Sequence, residues 1–445
     1  MKRALIILLM GSSLSCSLFR SRPAPYPEGV VFPLAETAKV EFEGRAVRSL
    51  VRSGERLYFS TDKGAVHCLD ALGRKILWTY ASPAALGCPP AVGQAVIAVW
   101  DAAGTVHGLS AEGAPAWETR LPGTPSSDIA LSEDNLYIGT REGLLFALRQ
   151  STGEVLWTFE TGGAIEAACV VWRDSVVLAS TDGRIYILGP DGKLKSKWEA
   201  GAATRVTPLV EGDCLYFGAD DAAFNCLDLT SRQLKWRLGA GAKILSTPRA
   251  DAQRVYFTAS NTVLYALEKS GGDIAWWKIL PSRSPYSPEI AGETILAASA
   301  STVLVGLERR TGQEQGRHDA GLEARSNPCW LAPDILVTLY DPASDKGRLS
   351  WLRKLFKVEL SASLAQPAAV GAEVVFTASA VGFHLPKYEF YVRQDKEIKV
   401  TRAASPKSAW AWFPDSEGKF TVGVRVSDAK DQRESEMTFD VANPK

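Results

Sequence analysis

The sequence predicts an all-β chain: an eight-bladed β-propeller closed by an N-terminal strand, followed by a β-sandwich. Three observations predict it. A short block recurs with a period near 40 residues, the central segment of each unit is apolar on both faces, and a proline returns every 40 residues at the start of successive units.

The block reads Gly64-Ala-Val-His-Cys-Leu-Asp70, Gly104-Thr-Val-His-Gly-Leu-Ser110 and Gly143-Leu-Leu-Phe-Ala-Leu-Arg149, and it continues to Gly347-Arg-Leu-Ser-Trp-Leu-Arg353. Its anchoring leucines are Leu69, Leu109, Leu148, Leu188, Leu227, Leu267, Leu307 and Leu352, spaced 40, 39, 40, 39, 40, 40 and 45 residues apart. No unit carries the 3.6-residue apolar spacing of a helix, which excludes helical solenoids. The fifth unit is typical, with strands expected at 205–210, 214–218, 223–228 and 234–238. Four antiparallel strands make one blade. Three residues before each anchor stands Val66, Val106, Leu145, Ile185, Phe224, Leu264, Leu304 or Leu349. A strand apolar on both faces fits a blade enclosed by two neighbours. Pro208, Pro248, Pro288 and Pro328 fall on the expected first strands. Proline cannot donate to a ladder, so this strand is an edge, the innermost one that lines the central channel.

Third strands number eight, but the repeats supply only seven fourth strands. Residues 39–42 alternate like a strand just before the first unit and can complete the blade formed by 335–340 and 348–353. Eight blades with an N-terminal closing strand result; seven plus a remnant is the alternative. Closure removes the exposed sheet ends that invite aggregation.

Tryptophans mark the fourth strand at Trp78, Trp117, Trp157, Trp198, Trp236 and Trp276, in a pattern best kept at 143–157 and 262–276. This resembles the repeat of pyrroloquinoline-quinone (PQQ) enzymes over about residues 38–353. The resemblance implies that these tryptophans dock one blade against the next. The seventh unit has Gly316-Arg317-His318 where the tryptophan belongs, so looser docking is expected there.

After Leu355 the period stops. Alternating segments at 357–364, 373–380, 387–393, 409–413, 419–427 and 434–441 suggest six or seven short strands, hence a β-sandwich. The run from Gly418 to Asp428 resembles the closing strands of immunoglobulin-like modules of the polycystic-kidney or triple-tyrosine kind.

The chain starts with Lys2 and Arg3, a short apolar run from Ala4 to Met10, and small residues up to Cys16. That pattern is an export signal too short to span a bilayer. Ser13-Leu14-Ser15-Cys16 resembles a bacterial lipobox, although its leucine stands two rather than three residues before the cysteine. The resemblance implies acylation of Cys16. The expected organisation is a signal peptide at 1–15, a lipidated cysteine and tether at 16–37, the propeller at 38–355 and the sandwich at 356–445. Six cysteines remain, too few for a disulfide scaffold, and Cys214 and Cys226, which flank one turn, are expected as free thiols.

Fifty basic and fifty acidic side chains cancel, which excludes a bulk nucleic-acid or electrostatic membrane footprint. Quinone enzymes carry an adjacent cysteine pair and long inserted loops with a calcium site. This chain has no Cys-Cys pair, and its constant period leaves no room for such loops. No Gly-x-Ser-x-Gly nucleophile motif, EF-hand or phosphate loop is present. His67 and His107 occupy a slot filled elsewhere by Phe146, Tyr186 and Tyr265, which reads as core filling, with no carboxylate column beside them. Asp220-Asp221 reads as a turn pair. No catalytic residue, metal site or cofactor is expected.

Arg205, Lys243, Arg283 and Arg325 lie three to five residues before the repeated proline, near one rim of the channel on four successive blades. They form a candidate docking arc for an acidic partner. Export, anchor, ring and missing catalytic set together resemble the BamB-type lipoproteins of the outer-membrane β-barrel assembly machinery. The resemblance implies a non-enzymatic envelope scaffold, bound to the outer membrane by its lipid, facing periplasm or surface, and monomeric within a complex of envelope proteins. The alternatives are a surface lipoprotein that uses the sandwich for adhesion or ligand contact, and a degenerate quinoprotein oxidoreductase.

Overall fold

The computed structural model describes residues 31–443 except 95, 384, 396 and 430. The signal segment, Cys16, most of the expected tether and His384 lie outside the described residues. Two units divide the chain, one built on residues 28–357 with 380–382 and the other on 358–379 with 383–445.

The first unit is a ring of sheets with a propeller-like arrangement, eight of them among the described residues. Seven are four-stranded antiparallel meanders in sequence order: blade one at 51–81, two at 91–120, three at 130–160, four at 170–199, five at 209–239, six at 249–279 and seven at 289–319. Blade eight joins the two ends of the ring. Its outer strand is Leu34–Glu43, paired with Lys346–Lys354 from Leu34 opposite Lys354 to Glu43 opposite Lys346. Asp334–Asp341 follows inward, and it pairs in turn with Glu323–Ala324 and Cys329–Leu331. The closing strand is therefore longer than the 39–42 expected and starts inside the segment read as tether. Its additional residues are held by burial, since Phe32 and Leu34 sit in the apolar core between blades seven and eight.

Third strands such as Leu144–Arg149 and Ala223–Asp228 are almost wholly buried, because both faces meet a neighbouring blade. First strands are shorter than expected. Pro208, Pro248, Pro288 and Pro328 each stand one residue before them, ahead of Leu209–Glu211, Arg249–Ala250, Glu289–Ala291 and Cys329–Leu331. Lacking an N–H, proline marks where the ladder begins rather than occupying it.

Blade-to-blade docking uses one repeated slot, made by the residue before the anchoring leucine and its partner on the fourth strand. In five blades a tryptophan lies over a small residue: Trp78 opposite Cys68, Trp117 opposite Gly108, Trp157 opposite Ala147, Trp236 opposite Cys226 and Trp276 opposite Ala266. Each indole Nε1 donates across to the next blade, to the carbonyls of Ala111, Gln150, Pro190, Lys269 and Arg309 at 2.9–3.0 Å. A positive-φ glycine lies flat beneath each ring. At Gly272, for example, a Cβ would stand 2.6 Å from Trp236, so no other residue fits.

The remaining three slots are filled by exchange. Blade seven sets Gly306 opposite Gly316, and the fully buried Phe32 ring fills the space. A Cβ on Gly306 would come within 2.1 Å of that ring. The junction expected to be loose is instead plugged by the segment that precedes the closing strand. In blade four Trp198 pairs with Ile185, two residues beyond the docking position, which Ser196 holds opposite Ile187. Trp198 therefore makes no docking bond of the repeated kind; it meets Phe217 edge-on at 5.9 Å while the bulkier Ile187 occupies the slot. Blade eight inverts the pair, with Trp351 on the third strand opposite Ala38.

The second unit consists of two sheets. Lys357–Ala362, Val374–Val381 and Ala409–Trp412 make one; Ala368–Ala369, Gln432–Ala442, Gly418–Ser427, Lys387–Gln394 and Glu397–Ser405 make the other. Phe376 against Phe439 at 5.3 Å and Trp412 against Phe420 at 5.2 Å join their inner faces into a sandwich core. Glu397–Ser405 was not expected from sequence. It is an edge strand with nearly every residue exposed, so no apolar alternation announces it.

Candidate functional site

The loops leading into the first strands, with residues from the ends of the second strands and the turns after them, line an open cavity of about 990 Å³ at one end of the channel. Arg45, Arg48, Arg141, Arg205 and Arg325 line it, together with the carboxylates Asp62, Asp128 and Glu166. Low-dielectric walls around such a mouth concentrate the field of these charges.

Of the four predicted cations, Arg205 and Arg325 reach this cavity. They share one repeat position with Leu245 and Pro285, whereas Lys243 and Arg283 stand two residues earlier in their units and are not among its lining residues. The arc is also less free than its sequence suggests. Arg205 bridges Asp220 at 2.9 Å and Glu166 at 2.6 Å, and those hydrogen bonds raise its pKa. Lys243 approaches the same Asp220 at 3.5 Å, and Arg325 pairs with Glu323 at 2.9 Å while lying over the Tyr340 ring. The Arg325 Nε is buried without a hydrogen-bond partner.

Three mouth arginines were missed by sequence reasoning. Arg45 pairs with Asp62 at 2.8 Å. Arg48, at a φ of 60°, reaches from the loop before blade one to Asp128 before blade three, 2.5 Å away. Burial raises the pKa of Asp128, and Arg48 opposes that shift. No repeat signal marks Arg48, Asp128 or Arg141: their loops recur in the other units, but the same residue does not recur at their positions.

His67 and His107 are structural. His107 is 2% exposed; its Nε2 lies 3.0 Å from Asp101, and its Nδ1 lies 3.2 Å from both the Tyr80 hydroxyl and Glu118. The expectation of no carboxylate beside it is corrected: Asp101 takes the turn position held by Thr61 and Thr140 in blades one and three. A ring sealed this way ties blade one to blade two and offers no path to a substrate. His67 stacks near Phe59 at 4.9 Å and bonds Thr79, while burial lowers its pKa to about 4. Cys214 and Cys226 are free thiols, and they oppose Asp228 and Tyr216 rather than each other. Among the described residues no group of three His, Cys, Asp or Glu side chains could hold a metal ion.

A family model described as "Outer membrane protein assembly factor BamB" matches residues 35–125, 102–203 and 189–340. The outer membrane protein assembly factor BamB of Moranella endobia is 24% identical over 186 residues, covering 37% of this chain and 46% of that protein. A beta-alanine-activating enzyme of Danio rerio is 27% identical over 118 residues, 24% of this chain and 10% of the enzyme. The chain thus spans a tenth of one curated relative and under half of the other. Among solved structures, BamB from Moraxella catarrhalis superposes with a TM-score of 0.62 at 16% identity, covering 72% of this chain and 100% of that one. The computationally designed protein Ika8 gives 0.63 at 14% identity, covering 71% and 99%. The structural likenesses carry the fold, and the family match covers most of the ring: this chain belongs to the family of the outer membrane protein assembly factor BamB.

Proposed function

We propose that this chain is a non-enzymatic cell-envelope lipoprotein that serves as a protein-interaction scaffold in the assembly of outer-membrane β-barrel proteins. Family membership is the observation that carries the reading. The channel mouth supports it with a concave, charged surface whose cations, Arg205 and Arg325 among them, are preset by ion pairs for contact with acidic side chains of a partner. Lys243 and Arg283 extend that surface outward along the same rim. Acylation of Cys16 anchors the chain to the outer membrane, and the ring works as a monomer within a complex of envelope proteins.

The sandwich lies beyond the matched residues 35–340, and this favours a second contact particular to this chain. On this reading it is an immunoglobulin-like module that spaces the ring or binds a surface ligand. Reconstitution with pyrroloquinoline quinone and calcium separates the scaffold from an oxidoreductase. The scaffold yields no new absorbance band and no dye-linked activity; a stoichiometric chromophore would overturn it.

A further inference from the structure

The fourth strand of every blade is the outer edge of its sheet, and natural edges carry charges that discourage strand addition. Two positions on this strand, one and three residues past the docking site, point away from the next blade. They hold Glu118 and Arg120 in blade two, Thr158 and Glu160 in three, Lys197 and Glu199 in four, Arg237 and Gly239 in five, and Arg317 and Asp319 in seven. Blade one has the small pair Thr79 and Ala81. Blade six alone sets two large apolar side chains there, Trp277 and Ile279, which are 57% and 60% exposed.

We propose that the outer strand of blade six, Ile274–Ile279, is a docking edge for an extended, uncharged segment of a partner polypeptide with an apolar residue at every second position. Trp276 faces blade seven, where it bonds the Arg309 carbonyl, so alternation directs Trp277 and Ile279 to the opposite, open face. Their two-residue spacing matches a strand; a helix would present apolar groups at three- and four-residue intervals and leave the edge amides unpaired. Charge complementarity selects a neutral segment. The one ionic side chain of the strand, Lys278, lies on the Trp276 face, where it pairs with Glu314 of blade seven at 3.3 Å, so the open face offers no charge to an acidic or basic occupant. A second copy of this chain is disfavoured by area. Six edge residues with two exposed side chains fall far short of the roughly 1,200 Å² that a stable interface buries, whereas a single added strand is held by its backbone ladder.

The test uses the full chain and a fluorescein-labelled heptapeptide alternating threonine and valine. Saturable binding by anisotropy is expected, with a blue shift of tryptophan emission as Trp277 loses water. Trp277→Lys and Ile279→Lys, both at exposed positions, should each weaken binding by about tenfold while leaving the melting temperature unchanged. A peptide N-methylated at alternate residues should not bind, and Arg205→Ser with Arg325→Ser at the channel mouth should bind as wild type. Equal affinity in the Trp277→Lys chain, or equal binding of the N-methylated peptide, would overturn the proposal. So would sedimentation as a dimer that Trp277→Lys converts to monomer, since the edge would then belong to a second copy.

Discussion

The indole Nε1 of Trp351 donates to the carbonyl of Ala71 at 3.2 Å, and this bond joins the last blade to the first. Ala71 stands two residues past its anchoring leucine, as do the acceptors Ala111, Gln150, Pro190, Lys269 and Arg309 in the other junctions. The donor has moved from the fourth strand to the third, yet it reaches the same acceptor. Closure therefore reuses the docking geometry with its large and small residues exchanged.

Trp351 is fully buried, so Trp351→Ala should cost about 3–5 kcal/mol of ring stability. Trp351→Phe keeps most of the apolar contact and loses the hydrogen bond, about 1 kcal/mol plus the smaller ring. Urea unfolding of the two variants checks the ordering. Equal effects would show that the junction does not depend on packing.

Phe32 stands in for a missing tryptophan, which makes a rescue experiment possible. Phe32→Ala should destabilise the chain by about 3–5 kcal/mol. Gly316→Trp alone should also destabilise, because even a Cβ at Gly316 would lie 2.8 Å from the Phe32 ring. Combining the two should recover part of the loss, since the indole then occupies the vacated slot above Gly306. Additive losses in thermal unfolding would contradict the shared-slot account.

His67 gives the ring a pH dependence whose sign is fixed. Burial lowers its folded pKa from 6.5 to about 4. Between those values the unfolded chain binds a proton that the folded chain does not. The neutral imidazole therefore contributes its full stability above pH 6.5, and that contribution is lost as pH falls to about 4, on the order of 3 kcal/mol. His67→Phe, which copies Phe146 of blade three, should flatten this part of the stability profile. An unchanged slope from pH 4 to 6.5 would remove His67 as its cause.

Much of the ring was legible because each unit repeats the same physical problem. A third strand enclosed by two neighbours must be apolar on both faces, so eight leucines with their partners mark eight sheets. What the repeat did not reveal lies where one unit solves that problem with residues from outside its own frame. Phe32 comes from before the first unit, and Trp198 sits two residues off register where Ile187 already fills the slot. The mouth was half legible. Arg205 and Arg325 share a repeat position, but Arg48 and Asp128, two periods apart, stand in repeated loops whose residue types vary from unit to unit, so the repeat does not reveal that their side chains meet across blade two. In the sandwich, the exposed strand Glu397–Ser405 buries too little to leave an alternating pattern.

The central claim, a ring that binds envelope assembly proteins through its charged mouth, is tested most directly by affinity capture of the full-length tagged chain from native envelopes. The account predicts that a β-barrel assembly complex co-purifies with the wild-type chain. Serine at Arg205, Lys243, Arg283 and Arg325 should reduce that capture while the variant melts at the wild-type temperature. Capture of the complex undiminished by the four substitutions, or its absence from the wild-type eluate, would contradict the account.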